Sequence, residues 1–137
     1  MSRENVEAVR QVIESNRSDD LEARIEAVLA LFDPSCEYIR VTAAVDPQTY
    51  RGHNGIRRYI SDLADSWKEW RNEAEEILNI SRDTVVATVR FRGIGKDSGV
   101  PVDARLGIVI VLSEGKVLRG HTYPSREEAL EAVGLSE

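Results

Sequence analysis

Segments that favour β-strands fill the second half of this 137-residue chain, whereas the first half has the apolar spacing of helices. The segments are rich in β-branched residues, are divided by short turn signals, and cover residues 77–80, 85–92, 102–112 and 117–123. Consecutive strands with such short links pair in antiparallel fashion, as in the hairpin that Ser113-Glu114-Gly115 predicts. The second half therefore predicts a mostly antiparallel sheet.

Two amphipathic helices are predicted near the N-terminus, because apolar residues recur there at spacings of three and four. The first has Val6, Val9 and Ile13 on its apolar face, and the second runs from Leu21 to Phe32. Asp33-Pro34 ends the second helix, since proline cannot continue it. A short strand is then predicted over residues 36–41.

A third helix is predicted from His53, after an irregular segment that contains Pro47 and Gly52. An apolar stripe at helical spacing indicates that it lies against a large, flat surface. The members of this stripe are Ile56, Tyr59, Ile60, Leu63, Trp67 and Trp70.

A short helix closes the chain. Ser125 and Glu128 form a capping box at its start, and Gly134 provides a left-handed stop at its end. Helices followed by a run of antiparallel strands is an α+β order, in which the helices pack on one face of a curved sheet. A concave sheet under helices encloses a cavity.

Charge and cysteine content exclude several classes of function. The formal net charge is −6 and no basic stripe exists, so nucleic acid and anionic membrane are not expected as partners. The single cysteine, Cys36, excludes an internal disulfide and a multi-thiolate metal site. The length of 137 residues predicts one domain over residues 1–137. No apolar run approaches a membrane span, so we expect a cytoplasmic location. We expect neither a metal nor a cofactor.

Three stretches resemble the SnoaL-like family of the nuclear transport factor 2-like superfamily, which also holds ketosteroid isomerase, limonene epoxide hydrolase and scytalone dehydratase. They are Asn5-Val6-Glu7, the run from Tyr50 to Ile56, and the run from Ser125 to Ala132. The resemblance implies a cone-shaped fold of three N-terminal helices on a strongly curved, mostly antiparallel sheet, with a short C-terminal helix and an apolar ligand pocket. The family hosts isomerases, cyclases, hydratases, hydrolases and plain binders, so the resemblance implies a fold and not a reaction.

The positions at which that superfamily carries its catalytic groups hold other residues here. Counting along the resemblance, Val12 stands at the oxyanion-stabilising tyrosine, Arg40 at the carboxylate base and Ile108 at the protonated acid of the isomerases. Thr122 stands where the cyclase and epoxide hydrolase branches carry an acid. An alkyl side chain can neither hold a proton nor stabilise an oxyanion, so this pocket is expected to lack the isomerase groups.

Other polar residues are assigned structural roles. We expect His53 to be solvated beside a glycine turn, and strand alternation directs His121 outward. Asp103 and Arg105 share the outer face, where an ion pair of Asp103 with Arg90 or Arg92 on the neighbouring strand is expected. No spacing of ligands typical of a metal site is present, and the glycines at 93, 95 and 99 do not lead into a helix as a phosphate loop would.

The predicted ligand-binding residues come from inward-facing strand positions and the end of the third helix. For Trp67, pocket wall and core are equally plausible, whereas Trp70 is expected in the core. An apolar wall of this kind favours an apolar ligand. The predicted binding residues are Tyr38, Arg40, Trp67, Phe91, Ile108 and Thr122, and the wall further includes Val85, Ala87, Val89, Leu106 and Ile110.

Arg40 is the sharpest of these predictions. Burying its charge alone costs several kcal/mol, so the guanidinium needs an anionic partner. Asp46, Asp62 or Asp65 could supply it, or the side chain could extend to solvent. The alternative is a ligand acid group held by two parallel hydrogen bonds, with Tyr38 and Trp67 enclosing the apolar remainder.

Two functions remain open on the sequence. One is a binding protein for an apolar or weakly acidic small molecule. The other is an enzyme of the isomerase, cyclase, hydratase or epoxide hydrolase type that acts on an apolar polyketide-, terpenoid- or steroid-like substrate, for example with a water held by Thr122 and Arg40. In either case Gly107, Val109 and Val111 leave the outer face without charge between residues 106 and 112, which predicts a homodimer through that face.

Overall fold

A computed structural model describes residues 2–15, 20–42 and 45–135. Over these residues the chain forms four helices and six strands, which confirms the α+β class. The helices are α1 (Ser2–Glu14), α2 (Leu21–Leu29), α3 (Gly52–Ser66) and α4 (Arg126–Ala132). The strands are β1 (Phe32–Thr42), β2 (Val45–Arg51), β3 (Trp67–Asn79), β4 (Thr84–Gly95), β5 (Pro101–Ser113) and β6 (Lys116–Tyr123).

All six strands belong to one sheet in the order β2-β1-β6-β5-β4-β3. Every neighbouring pair is antiparallel except β1 and β6, which run parallel. The sheet curls but does not close into a barrel, because β2 and β3 at its two edges do not pair with each other. The mostly antiparallel, curved sheet predicted from the sequence is confirmed.

The main core lies between the concave face of the sheet and the helices. Helix α1 buries Val9 and Ile13 against β3 and β4, and α3 packs on β1 and β2 through its apolar stripe. Gly55 allows this close approach, since a Cβ there would lie 2.8 Å from the backbone carbonyl carbon of Tyr50. Helices α1 and α3 are thus held against the concave face, as their apolar stripes require.

The third helix is shorter than the sequence predicts. It ends at Ser66, and Trp67 has extended backbone angles (φ −122°, ψ 131°) as the first residue of β3. A register shift between Trp67 and Glu69 changes which positions share a face, so two tryptophans three residues apart both pack on the core. The prediction that the helix continues through Trp70 is wrong, because a bulged strand produces the same spacing.

Two other boundaries also differ from the sequence prediction. Helix α2 ends at Leu29, and β1 already begins at Phe32, so Pro34 lies within a strand. The segment before α3, predicted to be irregular, forms the edge strand β2. An edge strand tolerates Pro47, because one side of it needs no ladder hydrogen bonds.

Helix α4 lies on the opposite, outer face of the sheet. Ser125 accepts a hydrogen bond from the backbone of Glu128, and Gly134 has a φ of +83°, so both predicted ends of this helix are confirmed. A Cβ at Gly107 would lie 2.7 Å from Ala129, and Val109 packs beside the same cluster. Part of the face through which a homodimer is predicted is therefore covered by the chain itself, and the dimer stays a prediction.

Candidate functional site

A cavity of about 470 Å³ lies between α1, α2, α3 and the concave face of the sheet. This volume is within the range of small-molecule sites. Most of its wall is apolar, and the apolar contributors outside the predicted binding set include Val12, Ile13, Val28, Phe32, Ile60, Leu63, Val89, Leu106, Ile110 and Val117.

All six residues predicted to bind a ligand contribute to this wall, namely Tyr38, Arg40, Trp67, Phe91, Ile108 and Thr122. Their contact with a ligand stays a prediction. Val85 and Ala87, also predicted on the wall, are instead packed inside the core with 0% and 1% exposure. Both belong to the main core cluster, and neither lines the cavity.

The positions aligned with the superfamily's catalytic groups converge on the same cavity. Val12 on α1, Arg40 on β1, Ile108 on β5 and Thr122 on β6 are far apart in sequence, yet all four line it. This convergence supports the residue-by-residue count along the family resemblance. Two alkyl groups, a guanidinium and a hydroxyl therefore stand where the resemblance implies a tyrosine and carboxyl groups.

Aromatic rings form one side of the cavity. The Tyr38 and Tyr59 ring centroids are 4.8 Å apart, and the Tyr59 and Tyr50 centroids are 5.3 Å apart. The Tyr38 ring lies close to β6 at Gly120. A Cβ at Gly120 would lie 2.7 Å from this ring, so only glycine leaves room for it. The guanidinium carbon of Arg40 is 5.7 Å from the Tyr59 ring centroid, within the range of a cation–π contact.

Arg40 is half-buried and forms no ion pair with any carboxylate whose side chain the structure describes. Asp62 accepts a 2.9 Å hydrogen bond from the Tyr50 hydroxyl instead, and Asp65 does not reach Arg40. The Asp46 side chain lies outside the described part. The internal pairs with Asp62 and Asp65 considered from the sequence are therefore not formed.

The tyrosine hydroxyls near Arg40 stay protonated well into alkaline solution. Burial raises the pKa of Tyr38 well above its ordinary value, the neighbouring Tyr59 raises it further, and the charge of Arg40 opposes both effects. Burial also raises the pKa of Tyr50, as does its hydrogen bond to Asp62. The hydroxyls of Tyr38 and Tyr50 thus stay neutral near the Arg40 guanidinium.

Trp67 and Phe91 form another part of the wall, with ring centroids 4.9 Å apart in an edge-to-face arrangement. Gly93 makes room for this pair, because a Cβ there would lie 2.9 Å from the Trp67 ring. The two rings extend the apolar surface available to a ligand.

Two residues of the wall do not follow from the sequence. The sequence predicts Tyr59 only as a member of the apolar stripe of α3, although a hydroxyl within such a stripe is a signal that one end meets a polar environment. Asn72 lies on β3 opposite Phe91 and also lines the cavity. Its position on the wall does not follow from the sequence, because the residues before it are predicted to be helical.

The histidines do not line the cavity. His121 points to the outer face, as predicted, and stacks on Tyr123 with a centroid distance of 4.3 Å. His53 is half-buried rather than solvated, because its Nε2 lies 2.8 Å from the carbonyl oxygen of Phe32. This contact ties the start of α3 to the start of β1. Cys36 is buried, as predicted, and its burial raises the pKa of the thiol.

Ion pairs cover the outer face of β3, β4 and β5. Asp103 accepts two hydrogen bonds from Arg90, at 2.9 and 2.6 Å, which confirms the predicted pairing. Arg105 pairs with Glu75 of β3 at 2.7 Å, and it also borders the cavity. Arg92 pairs with Glu73.

Within the described ranges, no three His, Cys, Asp or Glu side chains come together as a metal site requires. Among those same residues, no helix has both the length and the apolar character needed to span a membrane.

Comparison with known proteins identifies relatives of the whole fold. A family model described as a SnoaL-like domain matches residues 6–120. No curated protein matches the sequence at a significant level.

Solved structures resemble the chain at low sequence identity. A putative SnoaL-like polyketide cyclase from Jannaschia sp. CCS1 has a TM-score of 0.72 at 18% identity, with 88% of this chain and 85% of that chain covered. A phenazine biosynthesis-related protein from Pseudomonas aeruginosa has a TM-score of 0.73 at 15% identity, covering 98% and 88%. TerC, co-crystallised with polyporic acid, has a TM-score of 0.72 at 17% identity, covering 89% and 92%. At these identities the likeness establishes the fold alone.

Proposed function

Since the chain belongs to the SnoaL-like domain family, in which one fold serves many reactions, we propose that it binds an apolar small molecule with one acidic group. The observation that carries this proposal is the position of Arg40. Its guanidinium borders an apolar cavity and has no ion-pair partner among the side chains that the structure describes.

The energetics of Arg40 favour an anionic ligand. A cation–π contact such as the one with Tyr59 stabilises a cation by about 0.5–2 kcal/mol, whereas removing a charge from water costs several kcal/mol. A carboxylate or enolate bound by two parallel hydrogen bonds would offset that cost when the ligand displaces water from the cavity. The Tyr38 hydroxyl, whose pKa is raised by burial, and the Tyr59 ring lie near this charge.

The remaining wall suits the apolar body of such a ligand. Trp67, Phe91 and Ile108 present ring and alkyl surface, and burying apolar area contributes about 25 cal/mol per Å². A polar anchor beside a mainly hydrophobic wall is the usual composition of a small-molecule site. A structural neighbour, TerC, was co-crystallised with polyporic acid, which is consistent with an acidic ligand for this fold.

Binding is favoured over catalysis by the composition of the wall. Asp, Glu and His are absent from the described residues that line the cavity. General acid–base catalysis needs a group that gains or loses a proton near neutral pH, and neither a guanidinium nor Tyr38, whose pKa is raised by burial, does so.

An enzyme acting on a polyketide-, terpenoid- or steroid-like substrate is the second candidate. One observation favours it: Arg40, Tyr38 and Thr122 border one cavity, so a cation and hydroxyls could stabilise an enolate oxygen. Neighbours described as a putative polyketide cyclase and a phenazine biosynthesis-related protein are consistent with this chemistry.

A matched pair of fluorescent probes tests the binding proposal. 1-Anilinonaphthalene-8-sulfonate carries an aromatic body and one anionic group, and N-phenyl-1-naphthylamine is the same body without the sulfonate. We expect Arg40→Leu to weaken binding of the sulfonate by more than tenfold and to leave the uncharged amine within about twofold, since charge-assisted hydrogen bonds contribute about 1.5–3 kcal/mol. The affinity of Arg40→Lys for the sulfonate should lie between those of the wild type and Arg40→Leu, because a lysine cannot make the bidentate contact.

Arg58→Leu is the matched control. Arg58 is exposed and stacks on Tyr50 at 5.0 Å, but it does not line the cavity. It should leave both affinities unchanged. Equal losses for both probes in Arg40→Leu, or no loss for either, would contradict an anion site at Arg40.

A further inference from the structure

Asn72 is a second polar side chain on the cavity wall, remote from Arg40. It is half-buried on β3, opposite Phe91, and it makes no side-chain hydrogen bond with any residue that the structure describes. Its amide can donate two hydrogen bonds and accept two. An apolar ligand that covered this amide would remove its water without replacing the hydrogen bonds, which is unfavourable.

The two polar positions lie at opposite ends of the sheet floor. Arg40 is on β1 and Asn72 on β3, with β6, β5 and β4 between them. At about 4.8 Å per strand the separation is roughly 19 Å along the sheet, and the curl makes the direct distance shorter. The floor between them includes Ile108, Leu106 and Phe91, so an apolar surface joins the two polar ends.

The surroundings of Asn72 select an uncharged group. Among the described residues, the charged side chains that line the cavity are Arg40 and Arg105, and Glu75 pairs with Arg105 at 2.7 Å. The described cavity wall therefore presents no unpaired charge beside Asn72. An amide binds hydroxyl and carbonyl groups equally well, because it both donates and accepts.

We infer that the ligand is polar at both ends: an anionic group binds Arg40, and a neutral hydroxyl or carbonyl at the far end of the apolar body hydrogen-bonds to Asn72. This inference rests on the proposed binding function and adds the second recognition element. Asn72 would then determine which apolar acids are accepted.

Pairs of aromatic acids test the inference at three spacings. They are benzoate and 4-hydroxybenzoate, 2-naphthoate and 6-hydroxy-2-naphthoate, and biphenyl-4-carboxylate and 4'-hydroxybiphenyl-4-carboxylate. Their affinities are measured by calorimetry for the wild type, Asn72→Leu and a control, Thr88→Val. Leucine is close to asparagine in shape, and Thr88 carries a buried hydroxyl without a partner on the outer face.

For each pair, the affinity of the hydroxy acid is divided by the affinity of its parent acid. At one spacing or more, this ratio should be about three- to tenfold higher for the wild type than for Asn72→Leu. Thr88→Val should keep the wild-type ratio. If the acids bind in an Arg40-dependent manner but no spacing shows a hydroxyl effect that depends on Asn72, the inference is overturned and the proposed function stands. If none of the acids binds the wild type, the proposed function fails and takes the inference with it.

Discussion

The Tyr50 hydroxyl donates a 2.9 Å hydrogen bond to Asp62 Oδ2, while Arg40 lies close enough to the same tyrosine to lower its pKa. Tyr50 therefore stands between the cation and an acid that could otherwise neutralise it. This arrangement keeps the guanidinium available at the cavity and makes Tyr50 a residue whose removal has measurable consequences.

Tyr50→Phe should destabilise the fold by about 1–2 kcal/mol, because it deletes a hydrogen bond to a charged group at a buried position. Urea denaturation measures the change. Tyr123→Phe is the control, since the Tyr123 hydroxyl makes no hydrogen bond with the described residues, and its loss should cost under about 0.5 kcal/mol. Equal stability of Tyr50→Phe and the wild type would contradict the assigned role.

Stability should fall as the pH rises above about 10, the ordinary pKa of tyrosine. The pKa of Tyr38 is raised by burial in the folded state, so the unfolded chain loses this proton at a lower pH. This deprotonation stabilises the unfolded chain relative to the folded one. The contribution is fully present below pH 10 and declines by up to about 1.4 kcal/mol per pH unit above it.

Denaturation at pH 9 and pH 11 measures this effect in the wild type and in Tyr38→Phe. The variant should show a shallower loss of stability between the two pH values, because only Tyr50 and Tyr123 then have a raised tyrosine pKa among the resolved shifts. The same loss in both proteins would show that Tyr38 is not buried as described.

Gly120→Ala should destabilise the protein by about 1–3 kcal/mol through overpacking. The added methyl group would lie 2.7 Å from the Tyr38 ring, and a strand leaves the backbone little room to move. In a Tyr38→Leu background the same substitution should cost less, so the two changes should be non-additive. Additive costs in a thermal or urea denaturation cycle would contradict the contact.

A homodimer should give twice the monomer mass of 15.3 kDa in light scattering at micromolar concentration. Val111 and Arg119 pair on the outer face, which α4 covers only in part. Val111→Glu should therefore shift the mass toward the monomer. A monomer mass for the wild type would contradict the predicted homodimer.

Steroid isomerase activity should be absent. Val12, Arg40 and Ile108 line the cavity where the isomerases carry a tyrosine and two carboxylic acids, and acid–base help alone contributes about 10²–10⁴-fold. The assay follows conjugation of a β,γ-unsaturated ketosteroid by absorbance. Conversion above the buffer rate that is lost in Arg40→Leu would favour the enzyme over the binding protein.

Much of the fold can be predicted from the sequence, because periodicity and caps are local signals. The capping box at Ser125 and the alternation along β5 place α4 and the inward residue Ile108 correctly. The exchange of helix for strand at Trp67 could not be predicted, since a bulge imitates helical spacing and only the pairing with β4 distinguishes them.

The site is predictable only in part for a related reason. Tyr38, Arg40 and Thr122 follow from strand alternation and the resemblance. Asn72 lines the cavity only because β3 begins at Trp67. Whether Arg40 has a carboxylate partner depends on the hydrogen bond between Tyr50 and Asp62. Such contacts arise from tertiary packing, which no short sequence pattern encodes.

A crystal structure of the protein with 1-anilinonaphthalene-8-sulfonate tests the central claim most directly. We expect the aromatic body inside the cavity against Trp67 and Phe91, and sulfonate oxygens within about 3 Å of the Arg40 guanidinium nitrogens. A probe bound elsewhere on the surface, or Arg40 turned away from the cavity toward a protein carboxylate, would contradict it.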